Sequence, residues 1–277
     1  MQTLPLTTRP PRSGLSPLAL SPLLAAALAW HAPASAQPAG PAAAPSSWSL
    51  GVSAIGTHKP YAGIDRDYLP LPLIGYESER LSIAGPQIGL KLLRTDPRAA
   101  HQVGIDLIAR YDVSGYDDDD IEDTPILRGM DEREGGVWAG ARIEWNSGWG
   151  KVGAAVLADA SSKSEGHRVE LGIEKTWQIG SRMTLTPRLG ATWHDRKSVD
   201  YYYGVRANEA RAGRAAYLGR SGVNAEAGVR ALYLFDRRHA AFVDAGVTRL
   251  ASEITDSPLV DRSTENRVLL GYLYRFR

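Results

Sequence analysis

Apolar and polar residues alternate along much of the chain after Trp48. The clearest run lies between Gln102 and Tyr111, where Val103, Ile105, Leu107, Ala109 and Tyr111 would point one way. The same period of two recurs at 137–145, 168–174 and 223–230, and the row facing the apolar one repeatedly carries charge. This period is typical of β-strands with two different faces, not of helices. We therefore predict an all-β fold.

Strand length separates the candidate β folds. Strands in a soluble sandwich are usually about five or six residues long. Several predicted strands here reach about ten residues, the length that a tilted strand needs to cross a bilayer. Aromatic residues near strand ends on the apolar face would form the girdles of a membrane barrel: Tyr111, Trp145, Trp177, Trp193 and Tyr233. A soluble barrel is the alternative.

The whole pattern predicts a transmembrane antiparallel up-and-down β-barrel of about 12 strands, within a range of about 10 to 14. The predicted strands are 48–57, 68–77, 79–85, 86–94, 100–113, 134–147, 150–160, 167–180, 182–195, 222–236, 239–250 and 265–276. Short connectors at 95–99, 146–150, 180–181 and 236–239 alternate with long ones at 58–67, 114–133, 196–221 and 251–264. Such asymmetry matches short periplasmic turns and long outer loops.

The last strand has an unbroken apolar and aromatic row: Val268, Leu270, Tyr272, Tyr274 and Phe276. It resembles the terminal signal that the outer-membrane assembly machinery reads, although Arg277 follows the final aromatic residue.

The N-terminus has the pattern of a cleaved signal peptide over residues 1–36. Arg9 and Arg12 precede an apolar run from Leu15 to Trp30, and a small-x-small site follows at Ala34–Ala36. We expect the mature chain to begin at Gln37, with a flexible leader over 37–47 and the barrel over 48–277. An anchoring helix is the alternative, but the run is short for a bilayer. Export and a barrel together predict the outer membrane of a Gram-negative cell.

Composition excludes several functions. Lys and Arg total 32 against 31 for Asp and Glu, so no charge excess favours nucleic acid. The chain has no cysteine, which removes disulfides, thiolate catalysis and Cys-ligated zinc. His194-Asp195 is the best candidate for a general base, but adjacent strand residues face opposite sides, and an exposed rim histidine is the alternative. We predict no enzyme, no catalytic or metal residues and no cofactor.

The acidic segment Asp117–Asp120, with Glu122 and Asp123, is a candidate for calcium or for cations that bridge lipopolysaccharide. Its spacing is not that of an EF-hand loop. We therefore favour a solvated, self-repelling loop over a cation site.

Charges of both signs are predicted to line the lumen. The basic row contains Lys91, Arg110, Arg142, Arg168, Arg188, Arg230 and Arg267, and the acidic row contains Asp106, Glu144, Glu170, Glu174, Glu226 and Asp244. One sign would indicate an ion-selective channel, whereas mixed signs favour mutual pairing that fills the interior. A narrow pore is the alternative.

Four short motifs in the same order resemble the MipA/OmpV family of outer-membrane proteins, also called MltA-interacting proteins. They are Pro60-Tyr61-Ala62-Gly63 with Tyr68-Leu69-Pro70-Leu71-Pro72 and Tyr76, Tyr202-Tyr203-Gly204-Val205 followed by Tyr217, Asp256-Ser257-Pro258-Leu259-Val260, and Tyr274-Arg275-Phe276. The resemblance covers nearly all of the predicted mature chain. The acidic loop and Arg277 depart from the family pattern.

The resemblance implies a monomeric scaffold that links a murein-cleaving lytic transglycosylase with a murein synthase in cell-wall assembly. Its surroundings would be the lipid bilayer and lipopolysaccharide. A small-solute channel and a surface adhesin are the alternatives.

Overall fold

In the computed structural model, which describes residues 46–64 and 66–276, thirteen strands form one antiparallel sheet that closes on itself. The strands are β1 Ser47–His58, β2 Asp67–Glu77, β3 Leu81–Ala84, β4 Gln87–Arg94, β5 His101–Asp112, β6 Gly136–Ser147, β7 Gly150–Asp159, β8 His167–Glu174, β9 Trp177–Ile179, β10 Met183–His194, β11 Gly222–Leu234, β12 His239–Arg249 and β13 Thr264–Arg275. The helices are α1 Asp118–Asp123, α2 Arg196–Tyr203 and α3 Ser252–Thr255.

The barrel closes where β13 pairs with β1 and where β11 pairs with β10. Both β8 and β9 pair with β10, so they share one place in the wall and the described part of the chain forms a twelve-strand barrel, as predicted. The predicted strand 167–180 is interrupted opposite Pro187, which has no N–H to donate across the ladder.

The two ends of the barrel differ as the connector lengths predict. β1 begins and β13 ends at the rim of the short turns, whereas the long connectors lie at the opposite mouth. No helix in the described ranges is long and apolar enough to span a bilayer. The predicted signal peptide, most of the leader and Arg277 lie outside the described residues.

The two faces of the wall have the predicted polarity. Val52, Leu171 and Leu189 are exposed on the outer face, where apolar side chains favour lipid over water. Asp106 and Asp244 are buried on the inner face. This polarity is the reverse of that in a soluble barrel, and it makes the protein an outer-membrane barrel.

The wall is incomplete between β2 and β5. The predicted strand 79–85 is shorter than expected, because β3 turns back at Gly85, whose φ of 56° favours glycine. The β2–β3 ladder therefore covers only Gly75–Glu77. Within the described part of the chain, the rest of β2 has β1 as its one strand neighbour.

Candidate functional site: the lumen and its cap

Two ion pairs cross the lumen between strands that are not neighbours in the wall. Arg110 of β5 donates to both carboxylate oxygens of Glu170 on β8, at 3.1 Å for the Nη1–Oε2 contact. Arg168 of β8 donates to Asp112 at the end of β5. β6 and β7 separate these strands in the sheet, so both pairs span the interior.

A second cluster surrounds Asp244 on the far wall. This carboxylate accepts hydrogen bonds from Arg188 (2.9 Å), Arg230 (2.9 Å) and Arg267 (3.3 Å). On the near wall, Asp106 lies 2.7 Å from the guanidinium of Arg142. The predicted basic and acidic rows do face the lumen, and mutual pairing removes the uncompensated charge that an ion-selective channel needs.

Part of the lumen is apolar, which the alternation did not predict. Ile55, Leu73, Phe242 and Leu269 form a buried inward cluster, which we call the apolar lumen cluster. Its half-buried neighbours are Leu69, Leu71, Val113, Leu232 and Leu273. The lumen therefore has a charged compartment, lined by β5–β8 and β10–β13, and an apolar compartment beside the Asp244 cluster, lined by β11–β13, β1 and β2.

The long connectors close the outer mouth as an ordered unit, the cap, formed by residues 59–64, 66, 113–135, 195–221 and 250–263. Its core contains Tyr61, Ile64, Tyr116, Leu127, Met130, Val205 and Leu259. The hydroxyl of Tyr61 donates to the carbonyl of Tyr202 at 3.0 Å. Burial raises the pKa of Tyr61 well above its ordinary value, so this hydroxyl keeps its proton. Tyr202 in turn packs on inward residues of the wall, including Trp138.

A buried ion pair joins two connectors of the cap. Arg133 lies 2.7 Å from Glu209, and their side chains are 2% and 1% exposed. Glu209 also accepts from the N–H groups of Arg206 (2.8 Å) and Asp131 (3.1 Å). Burial by itself would raise the pKa of Glu209, but these hydrogen bonds outweigh it and the pKa is lowered. No sequence pattern identifies this pair, because its members lie in different loops.

The acidic segment is an ordered helix, which corrects the interpretation as a solvated loop. Asp117 caps α1 by accepting from the N–H of Asp120 at 3.0 Å. Carboxylates in a first helical turn are stabilised by the positive end of the helix dipole. Asp120 lies 2.8 Å from Lys59. A backbone N–H thus partners Asp117 and a lysine partners Asp120, whereas Asp118, Asp119, Glu122 and Asp123 are exposed.

The candidate pair His194-Asp195 is separated by the structure. Asp195 caps α2 by accepting from the N–H of Ser198 at 2.8 Å. His194 lies 3.4 Å from the side-chain nitrogen of Asn224 and lines a cavity of about 210 Å³. It is half-buried, so the alternative of an exposed rim histidine is wrong.

Across residues 46–64 and 66–276, no group of three or more His, Asp or Glu side chains is arranged to hold a metal ion.

Comparisons with known proteins agree with this architecture. The family model described as MltA-interacting protein MipA matches residues 50–276. The outer membrane protein YiaT of Escherichia coli (strain K12) is 30% identical over 232 residues, covering 83% of this chain and 92% of the relative. The MltA-interacting protein of the same strain is 28% identical over 241 residues, covering 86% of this chain and 94% of the relative.

A solved outer membrane channel from Pseudomonas putida F1 is similar with a TM-score of 0.42 and 13% identity, covering 89% of this chain and all of that one (100%). The family match spans nearly the whole described barrel, and it agrees with the motifs, the twelve-strand wall and the polarity of its faces. This outer-membrane chain therefore belongs to the MltA-interacting protein MipA family.

Proposed function

We propose that this barrel is a scaffold that holds a murein-cleaving lytic transglycosylase, and through it a murein synthase, at the periplasmic side of the outer membrane. The observation that carries the proposal is the closed lumen. Arg110–Glu170 and Arg168–Asp112 cross the interior, and the cap closes the mouth above them. A barrel filled in this way suits a structural role better than general diffusion. The relative named MltA-interacting protein supports the choice of partner.

The rim of the short turns has the charge of a docking surface. In the described ranges, its exposed arginines outnumber its exposed acids. The arginines are Arg80, Arg98, Arg182, Arg237, Arg238 and Arg275, and the acids are Glu79, Asp96 and Asp236. Asp96 and Asp236 are already engaged, because each accepts hydrogen bonds from backbone N–H groups of its own turn. A basic rim attracts a partner with an acidic surface and speeds its association.

Capture of a purified lytic transglycosylase by the refolded full chain tests this proposal. Arg237→Glu/Arg238→Glu should weaken capture at least tenfold, about 1.4 kcal/mol. The charge-matched control Arg128→Glu/Arg220→Glu changes exposed residues of the cap at the opposite mouth and should leave capture unchanged. Equal capture by both double variants and the wild type would contradict docking at the basic rim. No capture by the wild type would reject the scaffold.

The cavity of about 210 Å³ favours passage of a small solute as the second candidate function. It lies below α2, between β8, β10 and β11, and Glu265 and Ser198 are among its lining residues. Planar-bilayer recordings distinguish the two functions, since a filled scaffold should give no discrete conductance steps. Steps that disappear when the cap is cross-linked would favour the channel.

A further inference from the structure

An opening interrupts the barrel wall on the loop side of the β3–β4 hairpin. On the loop side of Gly75, β2 has no ladder to β3, and the ladder between β4 and β5 ends at Arg110. The hairpin tip joins both sides, since Gly85 donates to the carbonyl of Ile74 (3.0 Å) and Tyr111 donates to that of Pro86 (3.2 Å). Two missing strands leave three interstrand spacings, about 14 Å, between β2 and β5 at this level.

The cap closes the top of this opening, so the opening is enclosed on all sides. We call it the wall window. Lys59 lies 2.8 Å from Asp120, which joins the β1–β2 connector to α1. The rings of Tyr61 and Tyr116 pack edge to face at 5.1 Å across the same two connectors. The wall window is thus bounded by residues 68–74 of β2, by residues 111–113 at the end of β5, by the hairpin tip at 85–86 and by the cap.

The edge of β2 is built to remain unpaired. Because Ile74 directs its carbonyl toward β3, the even residues of β2 direct their backbone groups toward the window. Pro70 and Pro72 occupy two of these even positions and have no N–H. A strand added by another protein or by a second copy would lose two ladder hydrogen bonds. The edge therefore does not suit strand addition.

The inner side of the window is the apolar compartment of the lumen. Leu73, level with the hairpin tip, is 6% exposed, whereas Leu69 and Leu71 above it are inward but only half-buried. Val113 reaches the same cluster from the β5 side. On the outer face, the ring of Tyr68 lies over Gly56 of β1, away from the window. A Cβ added at Gly56 would lie 2.9 Å from this ring. The Tyr68 ring therefore does not cover the window from outside.

We propose that the wall window admits the acyl chain of a bilayer lipid, which lies against Leu69, Leu71 and Phe242 in the apolar lumen cluster. The lipid-facing surface of β2 is continuous with this compartment through the window. The backbone carbonyls of Pro70 and Pro72 face the window, and a carbonyl without a hydrogen-bond donor is costly in hydrocarbon. These carbonyls therefore favour a lipid whose head group donates hydrogen bonds. The head group would lie near the cap and the acyl chain inside the lumen.

Photolabelling of the full chain in vesicles tests this site. The vesicles contain phosphatidylethanolamine, phosphatidylglycerol and a phosphatidylethanolamine probe with a diazirine in the middle of its acyl chain. Mass spectrometry should find the probe on the inward residues Leu71, Val113 and Phe242, besides the outward face. Inward Ile108 and Leu157, which lie on strands paired on both sides, should remain unlabelled.

A variant that fills the window provides the second measurement. Leu71→Trp should abolish labelling of Val113 and Phe242, whereas the control Ile88→Trp, on the exposed outer face of β4, should leave it unchanged. A heat-dependent shift in gel mobility verifies that each variant has folded. Wild-type labels confined to outward residues such as Leu189 would overturn the proposal. Labels on Ile108 and Leu157 equal to those on Leu71 would also overturn it, because the lipid would then reach the lumen without the window.

Discussion

Removing the carboxylate of Glu209 should open the cap without unfolding the barrel. In Glu209→Ala, the guanidinium of Arg133 stays buried, at 2% exposure, and loses its partner at 2.7 Å. Breaking a buried pair from one side costs about 3–5 kcal/mol. At about 1.4 kcal/mol per power of ten, the population of open cap should rise by roughly two to four powers of ten. The barrel ladders do not involve either residue.

Limited proteolysis in vesicles, with hydrogen exchange of residues 113–135, measures this opening. The matched control is Arg206→Ala, which removes an exposed pair with Asp131 whose side chains are 56% and 62% exposed. Exposed pairs contribute about 0–1 kcal/mol, so cleavage should stay close to that of the wild type. Replacing both buried partners, as in Arg133→Met/Glu209→Leu, should restore much of the protection. Equal protection in Glu209→Ala and Arg206→Ala would refute the reasoning.

Three further predictions concern pH, the lipid face and assembly. The pKa of Glu209 is lower in the folded protein than its ordinary value, so ionised Glu209 stabilises the cap at pH values above that ordinary pKa. This stabilisation is lost as the pH falls through the folded-state pKa, so proteolytic cleavage of the cap should increase in acid for the wild type but not for Glu209→Gln. Leu171→Arg, at an outward position that is 56% exposed, should cost about 2–4 kcal/mol in urea unfolding, and Gly172→Arg, which faces the cavity, should cost less. Phe276→Ala should lower the yield of assembled barrel in the outer-membrane fraction far more than deletion of Arg277.

The same measurements can contradict each of these three predictions. Cap cleavage of Glu209→Gln that follows the wild-type pH curve would assign the titration to another group. A neutral Leu171→Arg combined with a severely destabilising Glu170→Leu would reverse the two faces of the wall. Equal assembly of Phe276→Ala and the wild type would show that the terminal aromatic row is not the assembly signal.

The barrel was predictable from the sequence because each strand separately must satisfy the same requirement on its two faces. Each strand must place apolar residues toward lipid and charges inward, so the period of two identifies both faces of β5, β6 and β11. The same reasoning fails on β2. In the run Tyr68–Ile74 both rows are apolar, and alternation therefore cannot distinguish a charged compartment from an apolar one.

The cap was not predictable because its contacts are between distant parts of the chain. Arg133 and Glu209 are 76 positions apart, and each lies in a segment that reads as polar loop. Tyr61 and Tyr202, 141 positions apart, meet only when the barrel brings the connectors to one mouth. Single residues in such segments have no period that would identify them as core. The acidic segment is a partial exception, since an aspartate followed by three more is a common helix start.

Pairing between β1 and β13 means that the barrel can close only after its last strand is available. Ser49 pairs with Arg275, and Trp48 accepts a hydrogen bond from the N–H of Phe276 at 2.7 Å, so the first and last strands of the wall are mutual neighbours. Until the final strand emerges, the growing sheet has two bare edges that invite mispairing. Contacts so distant in sequence form slowly. A nascent chain of this kind needs a chaperone that shields both edges until the C-terminus arrives, and a truncated chain would persist as an open, aggregation-prone ribbon.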